Sequence, residues 1–79
     1  MSNEKKLQMA FVEGLGIAAD SDFESLKYRG IEEWDSVAHM QLVSEIEATF
    51  DIMLETQDVI DMSSYPVARE IVSKYGVSF

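Results

Sequence analysis

The strongest periodic pattern in the chain lies between residues 36 and 50. Apolar side chains recur there at helical spacing, at Leu42, Val43, Ile46 and Phe50. At 100° per residue they form one stripe about 100° wide, the width of a helix face that packs against a core. His39 falls within this stripe, whereas Val37 and Met40 flank Ser36 on another side of the helix. The pattern predicts a helix from Ser36 to about Phe50 that ends at the break Asp51.

A helix is also predicted at the start of the chain. Ser2 and Asn3 are both competent N-caps, and the apolar spacing continues to about Leu15. Gly14 and Gly16 then loosen and stop the helix. Its core face carries the residues Leu7, Ala10, Phe11 and Gly14.

Two more helices are predicted in the last third of the chain. A short helix covers about residues 56–61 and contributes Val59 and Ile60 to the core. Ser63 or Ser64 caps the last helix, whose apolar positions are Val67, Ala68, Ile71, Val72 and Tyr75, and Gly76 ends it. No run alternates with a period of two. The fold class is therefore predicted as all-α, a four-helix bundle of three long helices and one short one.

A long segment without clear periodicity, residues 18–34, joins the first two predicted helices. It contains the apolar residues Phe23, Leu26, Tyr28, Ile31 and Trp34. These are too many for a free tether, so we expect them to hold the loop against the core, with a short helical turn. Met53, Met62 and Tyr28 are also predicted to be core residues. Loops of this length are often functional.

Composition narrows the possible functions. Seventy-nine residues make a single domain, 1–79, and the absence of cysteine fits a reducing cytoplasm, where we expect the protein to act as a monomer. No apolar run is long enough to span a membrane, so we expect no membrane insertion. The formal charge is −9, which repels nucleic acid and attracts basic patches on proteins. Solubility alone explains the acidity equally well.

The sequence argues against three kinds of functional site. The acidic segment from Asp20 opens like a calcium loop, but Ser25 and Ile31 replace its turn glycine and its bidentate glutamate. A triad of Ser36, His39 and Asp35 has poor geometry, because the histidine points towards the core. The many other carboxylates are explained by a solvated surface. We expect no metal site and no enzyme activity.

The segment Asp35-Ser36-Val37 at the start of the second helix resembles the attachment motif of acyl carrier proteins. Further similarities cover essentially the whole chain, at Leu15-Gly16-Ile17, Tyr28, Leu42-Val43, Ile46, Phe50-Asp51 and Met62-Ser63-Ser64-Tyr65. Three residues alone are a weak signal. Placed at this helix start, in a chain of this size, charge and helix order, they become a strong one.

The resemblance implies a function and a set of site residues. Ser36 would carry 4′-phosphopantetheine, attached by a phosphopantetheinyl transferase, and the arm would hold an acyl or aminoacyl group as a thioester. The partners would be acyl-transferring, acyl-ligating or synthase enzymes with basic patches. Residues expected to bind them are Asp35, Val37, Met40, Glu45 and Glu47. Candidates for an acyl pocket are His39, Ile46 and Met62, although a core histidine is the simpler interpretation of His39.

Two departures from the family pattern are informative. Val37 stands where leucine is usual, and Trp34 replaces a small residue common in housekeeping fatty-acid carriers. They favour a discrete, specialised carrier of a lipid, polysaccharide or secondary-metabolite pathway. The alternative is an unmodified acidic adaptor, in which Ser36 is only an N-cap and the Val37/Met40 face binds a partner. Another is a small ion-binding regulator, which requires tight stoichiometric calcium binding.

Overall fold

The fold is known from a computed structural model that describes residues 2–79. Its helices are α1 (Asn3–Leu15), α2 (Ser36–Phe50), α3 (Thr56–Asp61) and α4 (Tyr65–Ser73), with a 3₁₀ turn (Phe23–Ser25) between α1 and α2. Within residues 2–79 there is no strand, only an isolated bridge between Lys27 and Ser64. The all-α prediction, with three longer helices and one short one, is confirmed.

Local sequence explains where the helices begin and end. The Ser2 hydroxyl accepts from the backbone N–H of Lys5 at 3.1 Å and caps α1, and the Ser64 hydroxyl accepts from that of Val67 at 3.3 Å and caps α4. Gly16 closes α1 with a left-handed φ of 69°, a conformation that costs glycine little. The regular part of α4 ends at Ser73, before the turn that leads to Gly76.

The core lies between α1, α2, α4 and the long loop. Its aromatic centre is Phe11, whose ring meets those of Trp34 and Tyr65 edge-on at centroid distances of 5.4 and 5.0 Å. Of the loop residues predicted to pack on the core, Phe23, Leu26 and Trp34 are buried and Ile31 is half-buried, whereas Tyr28 is 37% exposed, so its prediction as a core residue was wrong. The remaining buried apolar residues are Leu7, Ala10, Leu15, Leu42, Val43, Ile46, Leu54, Met62, Tyr65, Ala68, Ile71 and Val72.

The long loop is held to the rest of the chain by backbone hydrogen bonds as well as by packing. The N–H of Tyr28 donates to the carbonyl of Ser63 at 2.9 Å, and the N–H of Tyr65 donates to that of Leu26 at 3.1 Å. These bonds join the loop to the segment between α3 and α4. The loop therefore has a fixed course up to Trp34, directly before α2.

Two predicted core residues of the α2–α3 region are exposed instead. Ile60 is 68% exposed and Met53 is 83% exposed, so the predictions for both were wrong. The helix α3 is only six residues long and turns a single face inwards, with Val59 half-buried. Asp58 takes a buried position on α3, because polar partners just past the end of α4 hold it there.

A polar cluster ties α3 to the end of α4. The Asp58 carboxylate accepts from the Lys74 ammonium at 2.6 Å and from the Tyr75 hydroxyl. That hydroxyl also accepts from the backbone N–H of Glu55 at 3.0 Å. The hydrogen bond from Lys74, and to a smaller extent that from Tyr75, stabilises the charged carboxylate. The pKa of Asp58 is therefore held below its usual value.

This lowered pKa predicts a specific loss of stability in acid. A carboxyl with a lower pKa in the folded state stabilises the fold above its unfolded pKa, near 4, and loses that contribution as pH falls through the folded pKa. As the pH is lowered below about 4, we expect the free energy of unfolding to decrease, and to decrease less in Asp58→Asn than in the wild type. Urea unfolding across a pH series measures it. Asp61→Asn, an exposed residue of the same helix, is the control, and equal acid sensitivity of the two variants would contradict the prediction.

Within residues 2–79, none of the helices combines the length and the apolar character that crossing a membrane requires.

Candidate functional site around Ser36

Ser36 is the first residue of α2, and the N-cap is Asp35. The Asp35 carboxylate accepts from the backbone N–H of Ala38 at 2.8 Å, with the extended backbone typical of a cap. The interpretation of Ser36 as the N-cap was therefore wrong. A carboxylate also interacts more favourably than a hydroxyl with the positive end of the helix dipole. The Ser36 side chain is exposed, and its hydroxyl is free of the capping role.

The capping geometry predicts that substitutions of Asp35 and of Ser36 lower the free energy of unfolding by different amounts. Asp35→Ala should lower the free energy of unfolding by about 1 kcal/mol, the usual cost of losing a cap. Ser36→Ala should change it by less than about 0.5 kcal/mol, as at other exposed positions. Chemical denaturation measures both, with Ser64→Ala at the α4 cap as the positive control. A larger loss for Ser36→Ala than for Asp35→Ala would contradict this assignment.

Ser36 lies at the edge of an apolar cavity between α2 and α3. The cavity has a volume of about 460 Å³ and is partly open to solvent. Its lining residues come from the long loop, α2, α3 and the segment before α4: Tyr28, Ser36, His39, Met40, Val59, Ile60, Met62 and Ser63. A group attached to the Ser36 hydroxyl would therefore begin beside this cavity.

His39 is the most constrained side chain of the cavity lining. Its Nδ1 accepts from the indole N–H of Trp34 at 2.9 Å, and its Nε2 lies 2.8 Å from the carbonyl oxygen of Val59. The indole nitrogen is only a donor, so Nδ1 must be an acceptor and Nε2–H donates to Val59. The imidazole and indole rings are nearly parallel, with an interplanar angle of 16° and centroids 6.1 Å apart, and Tyr28 meets the imidazole edge-on.

The structure places the three acyl-pocket candidates differently. His39 and Met62 line the cavity, and Met62 is almost fully buried. Ile46 is fully buried in the core and does not line the cavity. Sequence reasoning did not assign Val59, Ile60 or Ser63 to a pocket, since only the fold brings α3 next to the start of α2.

The five candidate partner-binding residues also differ. Val37 is 72% and Met40 is 56% exposed, so neither side chain packs under the long loop. Asp35 is exposed, although one of its oxygens caps α2. Glu45 is half-buried. The Glu47 carboxylate accepts from the backbone N–H of Leu54 at 2.9 Å and so holds the α2–α3 connection, a structural contact that the sequence did not indicate.

No three histidine or carboxylate side chains in residues 2–79 are grouped so that they could hold a metal ion.

Comparisons with protein-family models, with curated proteins and with solved structures found no match to this chain. Its function is therefore inferred from the residues and geometry around Ser36.

Proposed function

We propose that this protein is an acyl carrier in which Ser36 bears a 4′-phosphopantetheine arm. The observation that supports this most directly is the position of Ser36. Its side chain is exposed in the first turn of α2, Asp35 takes over the capping role, and an apolar cavity opens beside it. A serine at this position offers a nucleophilic hydroxyl to a modifying enzyme without loss of the helix cap.

The first turn of α2 suits both the transfer of phosphopantetheine to Ser36 and the phosphodiester that the transfer would form. The Ser36 oxygen would form a bond to phosphorus of coenzyme A, adenosine 3′,5′-bisphosphate would leave, and the hydroxyl proton would pass to a base of the transferase. The phosphodiester formed is an anion. Unpaired N–H groups and the positive dipole end of α2 favour an anion there. When attached, the arm supplies a thiol that holds the acyl or aminoacyl group.

The surface beside Ser36 suits brief contacts with several enzymes. Val37 and Met40 form a small exposed apolar patch, and Asp35 adds a negative charge at its edge. Charge steers a basic partner to this surface, and a small apolar contact allows it to leave. The carrier itself would catalyse nothing. Its setting would be a cytoplasmic fatty-acid, lipid, polysaccharide or secondary-metabolite pathway, in which it acts as a monomer.

The same exposed patch favours a second candidate, an unmodified acidic adaptor. In that function the Val37/Met40 face would bind a partner protein directly, and Ser36 would be an ordinary residue of the first helical turn. The two candidates differ in what Ser36→Ala changes. A carrier loses its cargo, whereas an adaptor keeps its partner.

Intact mass spectrometry tests the carrier function. The protein is incubated with coenzyme A and a broad-specificity phosphopantetheinyl transferase, alongside Ser36→Ala and the matched variant Ser44→Ala, an exposed serine of the same helix. We expect one phosphopantetheine on the wild type and on Ser44→Ala, and none on Ser36→Ala. No gain on a folded wild type, repeated with a transferase from the protein's own source, would favour the adaptor.

A further inference from the structure

We propose that His39 is a latch that holds α3 over the apolar cavity and so determines how well cargo attached at Ser36 is shielded from water. The shielding of cargo rests on the proposed carrier function. The latch itself rests on the contacts of one side chain with two other parts of the fold. His39 belongs to α2, Trp34 to the long loop and Val59 to α3, and the hydrogen bonds of the imidazole join all three.

The helix α3 depends on such contacts for its position. A helix of six residues is far too short to be stable alone, so tertiary contacts must fix it. Side-chain groups hold it at two adjacent residues. Asp58 binds the end of α4 through Lys74 and Tyr75, and the carbonyl of Val59 binds His39.

Only one of these two anchors faces the cavity. His39 and Val59 both line it, whereas Asp58 and Lys74 lie in a different surface depression. The cavity is bounded by α2 on one side and α3 on the other. Widening the cavity by moving α3 away from α2 would therefore break the bond between Nε2–H of His39 and the Val59 carbonyl. The Asp58 anchor is free to remain intact as a hinge.

The chemistry of the latch also indicates which cargo the cavity accepts. Both ring nitrogens of His39 are already bonded within the protein, so the ring presents no free donor or acceptor to the cavity. The neighbouring lining residues Met40, Val59 and Met62 are apolar. An alkyl chain suits this apolar part of the lining, because a polar group placed against these side chains, away from the hydroxyls of Tyr28, Ser36 and Ser63, would lose its hydrogen bonds to water without replacement.

Three variants separate the latch from general stability. His39→Phe keeps an aromatic ring beside Trp34 and removes both hydrogen bonds. His39→Gln retains a side-chain donor and an acceptor, and is expected to restore part of the wild-type behaviour. Lys74→Met removes a contact of the other α3 anchor and serves as the matched control, since it leaves the cavity lining unchanged.

The first measurement is native-state amide hydrogen exchange of Val59, Ile60 and Asp61. We expect His39→Phe to accelerate exchange on the order of tenfold, the factor that corresponds to about one buried hydrogen bond. The second measurement uses protein loaded at Ser36 with an octanoyl or an acetyl thioester and treated with hydroxylamine. The octanoyl thioester should be cleaved more slowly than the acetyl thioester in the wild type and in Lys74→Met. This protection should be lost in His39→Phe and partly regained in His39→Gln.

The outcomes distinguish the latch from the carrier function. Unchanged α3 exchange in His39→Phe would overturn the latch, whatever happens at Ser36. Faster exchange with undiminished octanoyl protection would overturn the link between the latch and cargo. If Ser36 accepts no phosphopantetheine, the carrier function fails, and the exchange measurement alone still decides whether His39 holds α3.

Discussion

Gly14→Ala is expected to destabilise the protein by about 3 kcal/mol, although alanine is the better helix former. A Cβ atom at residue 14 would lie 2.6 Å from the Cα of Leu42 and 3.0 Å from its backbone nitrogen. Backbone atoms cannot rotate away as a flexible side chain can. The methyl group must therefore push α1 and α2 apart and loosen the core between them, which outweighs a gain of about 1 kcal/mol in helix propensity.

Chemical denaturation monitored by circular dichroism measures this loss. A chain of this length is stable by only about 4–12 kcal/mol, so the midpoint should shift strongly. Gly16→Ala is the control, because it changes a glycine with φ of 69° and nothing within 4 Å of the added methyl group. It should cost about 1 kcal/mol from backbone strain alone. If Gly14→Ala proves at least as stable as the wild type, the two helices do not approach this closely.

Helix positions could be predicted because their signals are local. The Ser2 and Ser64 caps, the left-handed Gly16 and the apolar stripe of α2 each lie within a few residues of the boundary they define. Gly14 shows the limit of such reasoning. It was correctly placed on the core face of a helix that runs to Leu15, but the sequence did not indicate that its lack of a side chain lets the backbone of Leu42 on α2 come close.

The cap of α2 could not be chosen from the sequence. Asp35 and Ser36 are adjacent, and both are good N-caps. The choice depends on where the loop enters the helix. Two contacts fix that point: Trp34 is buried, and the N–H of Arg29 donates to the carbonyl oxygen of Trp34. This matters for function, since it decides whether the Ser36 hydroxyl is occupied or available.

The cavity shows a similar division between local and tertiary information. The helical period correctly predicts that His39 faces inwards. The hydrogen bonds of His39 to Trp34 and Val59 could not be predicted, because they require three separate segments of the chain to meet. Over the six residues of α3 the period cannot decide which face is buried, so Ile60 was wrongly placed in the core. The contacts of Asp58 with α4 settle that orientation.

Trp34→Ala is expected to remove a large part of the stability of the fold and to lower its unfolding temperature strongly. Trp34 is fully buried, packs edge-on against Phe11 and donates a hydrogen bond to His39. Truncating such a side chain costs about 3–5 kcal/mol, a large part of the total stability of a small fold. The loss also leaves Nδ1 of His39 without its donor, which adds the cost of an unsatisfied polar group unless water enters.

Calorimetry and circular dichroism measure this effect without using tryptophan fluorescence, which the substitution removes. Met53→Ala is the control, because it truncates a large apolar side chain that is exposed, and it should change stability by less than about 0.5 kcal/mol. A cooperative transition for Trp34→Ala close to that of the wild type would mean that the loop is not anchored by its tryptophan. In that case packing of the Trp34 side chain would not be what positions the start of α2, and the placement of Ser36 beside the cavity would depend on the backbone hydrogen bonds of the loop alone.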